Sequence, residues 1–179
     1  MQERNFLEAT IEQFRLQKKL AEQAMQQVND EQFFDQIGPE SNSIGSIVKH
    51  VAGNLRSRWT DFLVSDGAKP DRQRDAEFQK EEDDTRDALL AAWEAGFQCL
   101  LDTLEELTPG DLQKRVRIVS QPHTVMQAIQ RSLAHTAQHA GQIILLAKHY
   151  AGAQWNTLSI PRGQSEEFDR KLREKYRTA

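Results

Sequence analysis

Four stretches of this chain place an apolar residue at nearly every third or fourth position, and this spacing constrains the fold more than any other feature. At 3.6 residues per turn, such residues line one face of an α-helix, and that face must be buried against something. The first stripe runs Leu7, Ile11, Phe14, Ala21, Met25 and Val28, interrupted by a polar turn at Gln17-Lys18, and stops before Asn29-Asp30. The second runs Ile44, Val48, Val51, Leu55, Trp59 and Phe62; Ser43 is its expected N-cap and Ser65-Asp66-Gly67 its expected end. The third opens near Asp84-Thr85, carries Leu89, Trp93, Phe97, Leu100, Leu104 and Leu107, and ends at Thr108-Pro109-Gly110-Asp111. The fourth starts at Thr124, carries Val125, Ile129, Leu133, Ala137, Ala140, Ile144 and Ala147, and ends at Gly152. Four long amphipathic helices predict an all-α fold, an up-and-down four-helix bundle in a single domain over residues 1–179.

The connections are less regular. Residues 68–83 are charged and contain Pro70; they read as a long exposed connection with a short turn of helix around Ala76-Glu77-Phe78. Arg115-Val116-Arg117-Ile118-Val119 alternates like a strand, but no partner strand is evident, so it reads as an extended linker. After Trp155 the tail has Ser165 as a cap, Glu166 and Glu167 early, and Arg170, Lys171, Arg173 and Lys175 late. That charge order predicts a short C-terminal helix.

The net charge of −4 and pI near 5.8 argue against nucleic acid or an anionic membrane surface as a partner. Cys99 is the sole cysteine, which rules out an internal disulfide and suits a reducing compartment. The start is polar, and the longest apolar run, Ile143 to Ala147, is far short of a membrane span, so a cytoplasmic location is expected. Cys99, Trp59, Trp93 and Phe97 read as core rather than as chemistry.

Chemistry enters with the histidines. His135 and His139 lie four apart on the fourth helix, about one turn, so their imidazoles stand one above the other and can share a divalent metal. His50 on the second helix is a third candidate ligand, and three ligands leave a tetrahedral ion one open position. The plainer alternative is a surface or core-edge histidine pair. On the helical wheel all three lie roughly 100–140° from the centre of their stripes, which places them in a boundary groove rather than the core centre. Gln138 and Gln142 lie close along the fourth helix, and Asn54 and Arg58 follow His50 at intervals of four. They suit imidazole-orienting or substrate-contacting roles, and a solvated polar face explains each equally well. His123 and His149 are too far along the axis to join the group. No Asp or Glu lies within a turn of the three histidines on either helix, which disfavours a metal hydrolase needing a general base, unless folding brings in a tail residue such as Glu166.

Three segments carry a family resemblance: Ser46-Ile47-Val48-Lys49-His50-Val51-Ala52-Gly53-Asn54-Leu55, the run from Arg131 to Ile143 around the histidine pair, and Thr157-Leu158-Ser159-Ile160-Pro161-Arg162-Gly163-Gln164-Ser165. In these the chain resembles the DinB/YfiT-like metalloenzyme superfamily, within a DinB-like subfamily of unassigned function. The resemblance implies a four-helix bundle, a divalent metal held by His50, His135 and His139, and a homodimer. Some relatives are thiol-dependent transferases or isomerases in which the metal activates a low-molecular-weight thiol. The expected function is therefore a metal-dependent transferase of small molecules that makes a carbon–sulfur bond. Arg58, Arg131 or Arg162 would bind a carboxylate of the thiol or its acceptor. Zinc or nickel is the expected metal, and three imidazoles also accommodate iron or copper. The rivals are a metal hydrolase and a non-catalytic bundle that binds metal or a protein partner. A filled fourth position, or a groove closed by Trp155 and the tail, would mark the last.

Overall fold

In the computed structural model, which describes residues 2–177, each apolar stripe forms a long helix, although Val28, Phe62 and Leu107 fall just beyond the helix ends. These are α1 (Gln2–Met25), α3 (Ile44–Trp59), α4 (Arg86–Glu106) and α5 (Val125–Ala151). Two short helices accompany them, α2 (Asp30–Phe34) and α6 (Ser165–Tyr176), with strands β1 (Arg115–Ile118) and β2 (Gln121–Thr124). The fold is thus mostly helical with one small sheet. Among the described residues, no helix is long and apolar enough to cross a membrane.

Side chains close the helix ends. Ser43 Oγ accepts from the Ser46 N–H at 3.1 Å, and Thr85 Oγ1 from Ala88 at 3.2 Å. Thr124 and Gln127 form a reciprocal capping box on α5. The same device at Asn29 and Gln32 starts α2, a helix too short to show a hydrophobic period but able to bury Phe33 completely. At the C-terminal end of α1, the Arg86 guanidinium donates to the carbonyls of Met25 and Val28 at 2.6 and 2.9 Å.

α3 packs on α4 and α5, α1 packs on α5 and α4, and the core runs between them through Phe14, Leu55, Trp59, Phe97, Leu100 and Ile143. Because α3 is enclosed by neighbours, eleven of its sixteen residues are buried, far more than one stripe. Its contact with α4 is backbone-close: a Cβ on Gly96 would lie 3.0 Å from the Ala52 carbonyl oxygen and 3.2 Å from its Cα. α3 also ends earlier than its stripe implies, at Trp59, because Thr60 turns extended and Asp61 is left-handed (φ 51°). Phe62 nevertheless folds back onto Trp59, ring centroids 4.5 Å apart.

On α5 the buried face is rotated from the expected stripe. Ser132 and Thr136 are buried while Leu133, Ala137 and Ile144 are half-buried, since polar residues inside the packed face are invisible to a count of apolar ones. The rotation carries the flank bearing His135 and His139 towards α3.

Arg115–Ile118 is not a linker. It pairs antiparallel with Gln121–Thr124 across a two-residue turn, Val119-Ser120, with φ of 52° and 62°. Both turn residues are left-handed, as a type I′ hairpin requires, but neither is the Asn or Gly that usually signals one, and Pro122 obscures the second strand. Asp66 holds the strained turn: its carboxylate accepts from the Val119 and Ser120 N–H groups at 2.9 and 2.7 Å and from Ala68 at 2.8 Å. The Gly67 N–H donates to the Arg117 carbonyl at 2.8 Å, so hairpin and connection are joined.

The 68–83 connection is largely exposed, as expected, but its short 3-10 turn (Asp75–Phe78) buries Glu77 against α3. α6 forms and buries no residue, but Ser165 is its first helical residue rather than its cap: Gln164 holds the N-cap position, with no side-chain cap bond. Replacing Gly96 with Leu drives a side chain into the α3 backbone. The substitution should cost about 1–3 kcal/mol of unfolding free energy, measured by urea denaturation, with helical circular dichroism retained.

Candidate metal centre

α5 presents His135 and His139 one turn apart, and α3 brings His50 to meet them. His50 Nε2 lies 3.2 Å from His135 Nε2, and His139 Nε2 lies 3.2 Å from the same atom. All three ligand nitrogens fall within 4.8 Å of one another. A tetrahedral ion with imidazole bonds of about 2.0–2.1 Å separates its ligands by roughly 3.3–3.4 Å. The two 3.2 Å separations from His135 are close to that value.

The proton positions point the same way. His50 Nδ1 donates to Glu77 Oε2 at 2.9 Å, and His139 Nδ1 donates to Gln142 Oε1 at 2.7 Å. A neutral imidazole carries one N–H, so both rings turn a bare Nε2 lone pair towards His135. A single proton on His135 cannot serve both well, whereas a cation at the centre accepts all three lone pairs. The donor set therefore fits a divalent metal with an open fourth position.

Electrostatics keeps the groups in the states a metal needs. The His135 imidazole is pushed down to about 3, first by burial and then by the neighbouring His139 and His50 rings and by Arg58 and Arg72. Burial also lowers His139, against the opposing bond from Gln142. For Glu77, burial favours the neutral acid, but the Arg72 fork and His50 outweigh it, and the carboxyl lies below its usual range. His135 and His139 are thereby biased to the neutral form, and the orienting Glu77 carboxylate to the ionised one.

Glu77 and Arg72 are the residues sequence reasoning missed. Arg72 Nε and Nη2 grip the two Glu77 oxygens, both at 2.7 Å, and Phe78 stacks on His50 with centroids 4.7 Å apart. Gly53 makes the space, since a Cβ there would collide with the Glu77 carboxylate. The available signal was the turn at Ala76-Glu77-Phe78, with an acid in its middle. His50 itself corrects the boundary-groove reading: it is 3 % exposed, because α3 is buried nearly all round and Glu77 and Phe78 cover what remains. His135 and His139 are half-buried, as a groove position implies.

Of the other residues singled out, Gln142 orients His139, while Asn54, Arg58 and Arg131 line a cavity that His135 also borders. Gln138 is exposed and holds none of the three rings, and Arg162 lies in the exposed tail outside that cavity. Glu166 sits on α6, apart from the three-histidine group. The acidic cluster Glu81, Asp83 and Asp84 is a different matter: Lys49 Nζ reaches Glu81 at 2.9 Å and Asp84 at 2.8 Å, an ordinary ion-pair network.

Two outcomes are expected. Glu77→Gln should weaken metal affinity about 10–100-fold in competition with a chromophoric chelator, because the carboxylate fixes the His50 tautomer. The metal-free protein should also lose stability in acid. Folding lowers His135 from 6.5 to about 3 and lowers His139 and Glu77 as well, so across this range the unfolded chain binds more protons. Stability therefore falls as pH drops from about 6.5 towards 3, and urea midpoints for His135→Gln should show a shallower dependence.

A search of curated proteins finds none that matches the chain. Residues 2–164, a span that takes in every metal-centre residue described above, match a family described as a protein of unknown function (DUF1572). The chain therefore belongs to the DUF1572 family.

Proposed function

We propose that this protein is a divalent-metal-dependent transferase acting on small molecules, with His50, His135 and His139 as the metal ligands. The observation that carries the reading is the convergence of three Nε2 atoms, two of them on rings whose Nδ1 protons are held by Glu77 and Gln142. The resemblance to DinB/YfiT-like metalloenzymes supports it and suggests thiol S-transfer as the reaction. The same resemblance carries the up-and-down four-helix bundle for α1, α3, α4 and α5, and a homodimer. A cytoplasmic location, where thiols stay reduced, goes with the reading.

A divalent cation bound by three neutral imidazoles keeps its full double charge and an open position, and so favours a deprotonated thiol or water there. Zinc or nickel suits the set best, and iron or copper is accommodated. The chain's own residues then have separable tasks. Glu77 and Arg72 fix the His50 tautomer, Gln142 fixes His139, and Phe78 shields the His50 face from water.

Transfer is favoured over hydrolysis by where the acids lie. Among the described residues no carboxylate joins the three histidines, and Glu77 sits on the far nitrogen of His50 with both oxygens held by Arg72. It is poorly placed to take a proton from water at the centre.

Elemental mass spectrometry of protein purified without chelator should find close to one divalent metal per chain, and little in a folded His135→Ala/His139→Ala variant. The metal-loaded protein should then consume a low-molecular-weight thiol in the presence of an electrophile, and the variant should not. Absence of metal even after reconstitution at neutral pH would overturn the proposal. Stoichiometric metal without any turnover would favour a non-catalytic metal-binding bundle.

A further inference from the structure

Against His135 lies a cavity of about 100 Å³ whose chemistry the metal ligands do not explain. Asn54 and Arg58 enter it from α3, Arg72 and Arg74 from the connection, and Arg131 and His135 from α5. Among the described residues no carboxylate lines it. Four guanidinium groups thus surround one small space, and only Arg72 has an acidic partner there, Glu77.

Arg58 makes the arrangement costly. Its Nη1 is buried without a hydrogen-bond partner. Its guanidinium is pushed down to about 10, first by burial and then by Arg131, Arg72 and Arg74, with only Asp66 opposing. Asp66 gives little relief, because its carboxylate already accepts from the backbone N–H groups of Ala68, Val119 and Ser120. A buried cationic donor left unpaired among like charges is destabilising by itself. It is stabilised once an anion fills the space, and a guanidinium fork is shaped for carboxylate or phosphate oxygens. Neutral donors complete the lining. Asn54 is buried at its wall, and Ser132, which accepts from Trp59 Nε1 at 3.3 Å, keeps its own proton to donate.

We propose that this cavity is an oxyanion subsite that holds the carboxylate or phosphate end of a small-molecule substrate beside the metal position. Its role as a substrate subsite rests on the metal-dependent reading above, whereas anion binding itself does not. The volume decides what fits: pockets for drug-sized ligands span roughly 300–1,000 Å³, so about 100 Å³ takes a charged head group and leaves the remainder outside. Since His135 borders the cavity, a molecule anchored there projects next to the centre where reaction would occur. The substrate class is then a compact organic acid or phosphate ester, rather than a neutral lipid-like molecule.

The test is calorimetric titration with inorganic phosphate and, separately, succinate, at low salt in a buffer without competing anions. The metal-loaded protein should bind one of them saturably at one site per chain, and the tighter of the two identifies the head group. Arg131→Gln and Arg74→Gln alter exposed side chains and should each weaken binding at least about tenfold. Arg15→Gln, which removes the same charge from a distant ion pair on α1, should change it less than about twofold. His139→Ala, which removes a metal ligand that does not line the cavity, should still bind the anion when metal-free, which separates this cavity from anion ligation by the metal itself. If the protein holds no metal yet binds the anion with this arginine dependence, only the transferase reading fails. If metal is held but neither anion saturates, or both arginine variants bind like the parent, the subsite is overturned.

Discussion

The carboxylate of Glu77 is the point on which the candidate site depends. It is buried, and it is placed between the Arg72 fork and the His50 Nδ1–H, so each oxygen has a charged or hydrogen-bonding partner. A buried carboxylate without such partners would be strongly unfavourable; with them it ties an otherwise exposed connection to the central helix. The same contact sets the tautomer of His50, brings Phe78 over its ring, and delivers Arg72 and Arg74 to the rim of the neighbouring cavity. Gly53 is the backbone condition for all of this, because any side chain there would displace the carboxylate.

Several segments distant in sequence therefore meet at one place. The hairpin is joined to the start of the connection through Asp66 and Gly67, and the connection is joined to α3 through Glu77. Ile118 of the hairpin reaches the arginine-lined cavity, while α5 supplies Arg131, Ser132 and His135 to it. The histidine cluster has convergent ring nitrogens, and the adjoining space has excess positive charge. These are complementary provisions for a ligand with an electron-rich group and a negatively charged end.

How much of this could be read from sequence follows from how local each feature is. The long helices were legible because their apolar periods are carried by neighbours in sequence, and Ser43 and Thr124 cap as their residue types suggest. The pairing of His135 with His139 was legible for the same reason; His50 was a third candidate by its residue type and flank position, and the resemblance rather than local spacing assigned it to the same ion. The Glu77–His50 contact spans 27 residues and arises from a segment without periodicity, so no local rule exposes it. The hairpin was hidden because Val119 and Ser120 are held left-handed by the remote carboxylate of Asp66 and not by their own preference. The burial of His50 likewise follows from what surrounds α3, not from the residues beside it.

His50 and His135 are 85 positions apart, yet their ring nitrogens are in contact distance in the folded chain. An ion that binds all three rings binds the native arrangement far better than the unfolded chain, which offers at most the local His135 and His139 pair. Occupancy and folding are then linked by mass action, worth about 2.7 kcal/mol when free ion exceeds its dissociation constant a hundredfold. An ion held there would clasp α3 to α5, and the melting temperature of the protein would then follow metal availability.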